Sequence, residues 1–124
     1  MIDKKQRVVV LGASPKPDRY SNRAVCLLLQ HGHAVVPVHP TASLIEGLPV
    51  AARLEDVDGI VDTLTVYVSA ERSSRLGPTI AQLHPARIIF NPGAENPELQ
   101  ATLVGRGIRV ETACTLVLLS TGQF

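Results

Sequence analysis

The patterned part of the chain opens with Val8-Val9-Val10-Leu11, an apolar β-branched run closed by Gly12, which predicts a strand buried on both faces. After a proline-bearing loop, Ser21 or Asn22 is placed to cap a helix through residues 24–29 to His31, and Gly32 is placed to end it. Ala34-Val35-Val36-Pro37-Val38 reads as a second strand, parallel to the first because the helix supplies the crossover. Pro37 has no ladder donor and is expected only at a sheet edge or strand end. Residues 41–58, with Gly47 and Pro49, read as a loop or small hairpin followed by a helical turn over 54–57, and no chemistry is expected of them.

A third strand falls within residues 60–68, where Leu64, Val66 and Val68 alternate with Thr63, Thr65 and Tyr67, a pattern that predicts unequal burial of its faces. Ser69 is placed to cap a helix over 70–83 that Gly77-Pro78 kinks or divides. Arg87-Ile88-Ile89-Phe90 is the fourth strand, Asn91-Pro92-Gly93 its exit loop, and Asn96-Pro97 an N-cap followed by proline at the first helical position. That helix ends near residues 105–107. Ile108-Arg109-Val110 is a short fifth strand, after which Thr112 is placed to cap a last helix over 113–119. Strands alternating with helices at this spacing predict an α/β fold: a Rossmann-like, doubly wound, mainly parallel five-stranded sheet with helices on both faces. A single domain over residues 1–124 is expected.

Composition sharpens this picture. Hydrophobic residues are 45% of the chain but aromatics only 3%, so the core is built from Val, Leu, Ile and Ala, as in parallel sheets covered by helices. A length of 124 residues suits one domain and leaves no room for a separate substrate domain. Twelve basic against eleven acidic residues give a net charge of +1, which supplies no general pull toward nucleic acid or an anionic membrane. Any phosphate binding is therefore local. Cys26 and Cys114 make neither a disulfide framework nor a metal cluster, which implies a reducing compartment and no metal. Residues 1–7 are polar and lack a signal peptide's apolar segment, and no run approaches bilayer-spanning length, so a cytoplasmic location is expected.

In such a sheet, ligands lie beyond the carboxyl ends of the strands, in the loops that begin at Gly12, His39, Tyr67, Asn91 and Glu111. The first, running from Gly12 to Ser21, holds one glycine for close backbone approach, the Ser14 hydroxyl, and the cations Lys16 and Arg19 ahead of a helix start. These groups suit a diphosphate, because unpaired helical amides and the helix dipole favour an anion and a guanidinium holds two phosphate oxygens at once. The alternative is a tight turn at Gly12 with solvated surface charges. The dinucleotide fingerprint is missing: it needs glycines at Ser14 and Pro17, and an acid at the end of strand two where His39-Pro40 stands. An NAD-linked dehydrogenase is disfavoured on both counts.

The chain here resembles the CoA-binding domain family, small Rossmann-like proteins similar to the N-terminal domain of the succinyl-CoA synthetase alpha subunit. The resemblance runs over almost the whole chain. It is carried by Val10-Leu11-Gly12-Ala13-Ser14 with Arg19-Tyr20-Ser21, Val36-Pro37-Val38-His39-Pro40, Gly47-Leu48-Pro49-Val50, Val66-Tyr67-Val68-Ser69 and Asn91-Pro92-Gly93-Ala94-Glu95. It implies coenzyme A or an acyl-CoA as cofactor. Gly12, Ala13, Ser14 and Arg19, with Tyr20 and Ser21 beside them, would hold the phosphates, and Lys16 would add charge at the 3′-phosphate. Val38, His39 and Pro40 would border the nucleotide, with Tyr67, Val68, Asn91, Pro92 and Gly93 lining the rest of the cleft. The family often has a small polar residue where His39 stands, and a lone histidine there is alternatively a surface or packing residue.

Synthetases of this type use further domains for which this chain has no room, and no nucleophile, base and orienter can be identified, so binding without catalysis is the leading expectation. The rivals are a subunit of an acyl-CoA synthetase-like enzyme working with a partner chain, and a regulatory domain sensing another nucleotide such as NAD. Cys114, read as first-turn in the last helix, is either a dipole-activated thiol or a small buried hydrophobe. Glu95 and Glu111 are candidate bases or solvated carboxylates. Leu116-Val117-Leu118-Leu119 is either core or a homodimer contact.

Overall fold

The computed structural model describes residues 4–124; the sequence reading of the first three positions lies outside the described residues. In chain order the strands are β1 (Arg7–Leu11), β2 (Ala34–Val38), β3 (Leu44–Ile45), β4 (Leu48–Pro49), β5 (Thr63–Val66), β6 (Arg87–Phe90) and β7 (Arg109–Thr112). The helices are α1 (Tyr20–Gln30), α2 (Ala70–Arg75), α3 (Gly77–Leu83), α4 (Pro97–Gly105) and α5 (Thr115–Ser120), with a 3-10 turn at Leu54–Asp56. Five strands form one sheet in the order β2-β1-β5-β6-β7, every neighbouring pair parallel. The order reverses between β1 and β5, so the carboxyl ends of those two strands flank the crevice of a doubly wound sheet.

Alternation along the strands fills two cores. Val9, Leu11, Leu64, Val66, Ile88 and Phe90 face α3, α4 and the 3-10 turn through Ile80, Leu99, Leu103 and Leu54. Val8 and Val10 face the other way, against Val25 and Leu28 of α1, Leu119 of α5 and Ile45 of the β3–β4 hairpin. Each fully buried Val or Leu contributes roughly 1.5–3 kcal/mol, so these two layers dominate the stability. The unequal burial expected of β5 is not observed: all four of its residues are buried. Its threonine face is covered by helix and satisfied internally, the Thr65 and Thr115 hydroxyls lying 2.8 Å apart.

Pro37 stands on an edge strand, as its chemistry requires. The Ala34 amide donates to Gln6 in the β1 direction, so by alternation the nitrogen of Pro37 faces outward, where its carbonyl accepts from Ala51 at 3.0 Å. The hairpin turns through Glu46 (φ 49°) and Gly47 (φ 78°), both left-handed as a two-residue primed turn demands. Gly77-Pro78 divides the predicted 70–83 helix into α2 and α3 at Leu76. The caps from Ser69 and Asn96 form as expected, accepting from Arg72 and Leu99 amides.

Two predicted caps are replaced. The N-cap of α1 is Arg19, without a side-chain bond, and Ser21 and Asn22 lie buried within the first turn. The Asn22 amide is engaged elsewhere, donating to the Ser14 carbonyl at 2.9 Å and to Glu46 Oε2 at 3.2 Å. Helix α5 begins at Thr115 with Cys114 as N-cap, and the Thr115 amide is capped from outside the segment by Asn91 Oδ1 at 2.9 Å. Thr112 instead closes β7. Among the described residues no helix is long and apolar enough to cross a membrane.

Candidate functional site

Beyond the carboxyl ends of β1, β2 and β5 lies a cleft of about 250 Å³, lined by Gly12, Val38, Pro40 and Val68 together with Arg53 and Arg72. Gly12 takes φ +87°, and a Cβ there would stand 2.9 Å from Val68 Cγ1, so packing alone already requires glycine. Concavities of similar size beside Pro78 and beside Gly59 lie away from the crevice between β1 and β5.

The segment from Gly12 to Arg19 leads from the cleft to the start of α1. Ala13 is anchored, its amide donating to Val38 at 3.1 Å and its side chain buried. Ser14 Oγ accepts from the Lys16 amide at 3.1 Å, which leaves its hydroxyl proton free to donate. Lys16 and Arg19 are exposed, and the Arg19 amide closes a turn onto the Lys16 carbonyl at 3.1 Å. The first backbone bond of α1 is Arg23 to Arg19. The amides of Tyr20, Ser21 and Asn22 therefore have no acceptor among the described residues. Such unpaired amides beside two cations form a field suited to an anion.

The other predicted positions are dispersed. His39 turns inward on its own loop, Nδ1 accepting from Thr41 at 3.2 Å and Ala42 at 2.9 Å, which fixes the proton on Nε2. Asn91 is 1% exposed and all its side-chain bonds serve the fold: Nδ2 to Thr65 Oγ1 (2.7 Å) and the Val66 carbonyl (2.9 Å), and Oδ1 to the Thr115 amide. Pro92 and Gly93 are exposed and do not line the cleft. Tyr67 packs against the α1 and α5 layer. Its hydroxyl is buried without a hydrogen bond, and burial pushes its pKa up to about 12 although the Thr115 and Thr65 hydroxyls nearby offset part of the rise.

The remaining candidates are also placed. Cys114 is half-buried and stands one residue ahead of α5 rather than in its first turn, because Asn91 supplies the cap. Burial pushes the Cys26 thiol up, and Glu46 adds to the rise. Glu95 is exposed and accepts from the Gly93 amide at 2.8 Å. Glu111 is held by Arg87 at 3.3 Å and Arg109 at 2.9 Å. Of the last apolar stretch, Leu119 is core while Val117 is 55% exposed.

Arg53 and Arg72 are the residues that the sequence reading missed, Arg53 in the very segment of which no chemistry was expected. Nothing local marks either one. The β2 edge contact at Ala51 returns the chain to the strand end and carries Arg53 with it, while Ser69 opens α2 and sets Arg72 facing the same space.

A family model described as CoA binding domain matches residues 6–120. A solved structure described as an uncharacterized protein is 36% identical, superposes with a TM-score of 0.92, and the match covers 98% of this chain and all of that one. A Thermus thermophilus protein follows the same path at 27% identity and TM-score 0.87, over 97% of this chain and 91% of its own. A dinucleotide-forming acetyl-coenzyme A synthetase of Candidatus Korarchaeum cryptofilum, solved with phosphate and ADP, is 25% identical with a TM-score of 0.72, over 87% of this chain but 25% of that enzyme. Among curated proteins, uncharacterized protein YneT of Bacillus subtilis (strain 168) is 28% identical over 72 residues. That stretch is 58% of this chain and spans about half, 53%, of YneT.

Proposed function

Since the chain belongs to the CoA-binding domain family, we propose that it binds coenzyme A or an acyl-CoA across the carboxyl end of β1, without turnover of its own. The observation that carries this reading is the start of α1, where three amides lack an acceptor among the described residues beside Lys16 and Arg19. A diphosphate there accepts from the amides of Tyr20, Ser21 and Asn22 and from the Ser14 hydroxyl, and Arg19 neutralises it. The adjoining cleft of about 250 Å³ is smaller than a site that encloses a whole drug-sized ligand. It suits the nucleotide end of a longer molecule, bordered by Val38 and Pro40. No paired nucleophile and base lines the cleft, and the two cysteines lie outside it.

Titration calorimetry with coenzyme A tests the placement. Arg19→Gln, and the double variant Ser14→Ala with Arg19→Ala, are expected to weaken binding about tenfold or more, the worth of a charge-assisted phosphate bond. Full affinity in the double variant overturns the assignment. The synthetase neighbour supports a second reading, in which the chain serves a larger acyl-CoA enzyme as a subunit, because there the same fold is one part of a much longer protein. Co-purification of a partner chain that turns over acyl-CoA with nucleotide separates that reading from solitary binding.

A further inference from the structure

We infer that Arg53 and Arg72, in place of the Lys16 expected at the 3′-phosphate, form a subsite for a phosphate carried on the ribose of the bound nucleotide, so that the cleft selects a phosphorylated ribose over a free one. The inference rests on the reading that a nucleotide occupies this cleft, and it adds the residues that choose between two forms of that nucleotide.

Three observations meet here. Arg53 and Arg72, both exposed, are among the residues that line the cleft with Gly12 and Pro40, on the side opposite α1 and its cationic loop. Arg72 has no ion pair among the described residues, whereas Arg75, one turn later on the same helix, is paired with Glu71. Among the described residues Arg53 pairs only with Asp56, at 3.8 Å and with its side chain 67% exposed, too loose and too wet to hold it.

The exit of β2 completes the argument. A free ribose diol in this type of sheet is gripped by a carboxylate after the second strand, whereas a ribose phosphate is accommodated by an arginine nearby. Here the exit is His39-Pro40, and the Nδ1 of His39 is engaged by its own turn. Glu55 is also among the lining residues, so one cation would merely balance its charge. A ribose phosphate carrying close to two negative charges at neutral pH needs both arginines, whose forked donors match its oxygens. Coenzyme A, with its 3′-phosphate, and NADP, with its 2′-phosphate, share this chemistry.

Calorimetry with coenzyme A, dephospho-coenzyme A, NADP and NAD on the unaltered protein, Arg53→Gln, Arg72→Gln and the double variant tests the inference, with thermal melts confirming that each variant folds. Coenzyme A is expected to bind about tenfold or more tightly than dephospho-coenzyme A. The double variant should bring that ratio close to one by weakening coenzyme A alone. On the unaltered protein the ratio should shrink as salt is raised, a check that needs no substitution. Equal binding of the two coenzyme A forms, or a ratio that survives in the double variant, overturns the subsite and leaves coenzyme A binding intact. NADP preferred over NAD through the same arginines, with no binding of coenzyme A, keeps the subsite and overturns the proposed ligand. Failure of all four to bind overturns both.

Discussion

Replacing Asn91 by alanine separates a residue that holds the fold from one that holds a ligand. Its buried amide joins three elements, donating to Thr65 Oγ1 and to the Val66 carbonyl of β5 and accepting from the Thr115 amide that opens α5. Each of the two donated bonds is worth about 1 kcal/mol net, and stranding the Thr115 amide in the core adds roughly 1–3 kcal/mol. Thr115 is fully buried, so water cannot replace the lost acceptor. The expected loss is about 3–5 kcal/mol, which with a urea dependence of about 1.5 kcal/mol per molar moves the unfolding midpoint down by roughly 2–3 M. Equilibrium urea unfolding followed by circular dichroism measures it. Asn91→Asp sharpens the test, since it keeps the shape and the bond from Thr115 but turns a carboxylate toward the Val66 carbonyl. Burial raises the pKa of that new carboxyl above its unfolded value, so this variant should lose stability as pH rises from about 4. An Asn91→Ala protein within about 1 kcal/mol of the parent, with an unchanged slope but weakened coenzyme A binding, would refute the reasoning and return Asn91 to the ligand.

Tyr67→Phe removes a hydroxyl that is buried without a partner, so it should be neutral or stabilising by up to about 1 kcal/mol in the same urea assay. The native Tyr67 keeps its proton to about pH 12 while the unfolded one loses it near 10. The parent should therefore lose about 2–3 kcal/mol more than Tyr67→Phe as pH rises from 10 to 12, with the two curves parallel below 10. Gly12→Ala is expected to cost about 2–3 kcal/mol, combining left-handed strain with the close approach to Val68 Cγ1. Adding Val68→Ala should relieve the steric part but not the backbone part, which a double-mutant cycle resolves. Glu111→Gln strips the carboxylate from Arg87, whose side chain is 7% exposed, and should cost about 2 kcal/mol in urea unfolding, below the figure for a fully buried pair because Glu111 is partly solvated.

The sheet was legible because its signals are local. The run from Val8 to Leu11, the crossover before Ala34 and the proline at Asn96-Pro97 each act within a few residues, and the parallel order follows from connection rules. What escaped depended on distant partners. Thr63 and Thr65 look like a solvent face until Thr115 of the last helix meets Thr65 and Gln6 and Arg87 meet Thr63. Thr112 looks like a cap, but Asn91, 24 residues before Thr115, holds the amide. The phosphate loop was readable as a strand, a glycine, a hydroxyl and cations in succession. Arg53 and Arg72, in contrast, have ordinary neighbours in sequence and acquire meaning only where the 3-10 segment and α2 converge on one cleft.

The outward-facing nitrogen of Pro37 has a consequence for how copies of this molecule meet. Strand-to-strand polymerisation needs an open row of donors and acceptors, and this border offers a missing donor and a carbonyl already taken by Ala51. The opposite border is four residues long and carries exposed Arg109 beside Glu111, a charged fringe that resists the same kind of growth. Both borders of the sheet thus resist growth by strand addition.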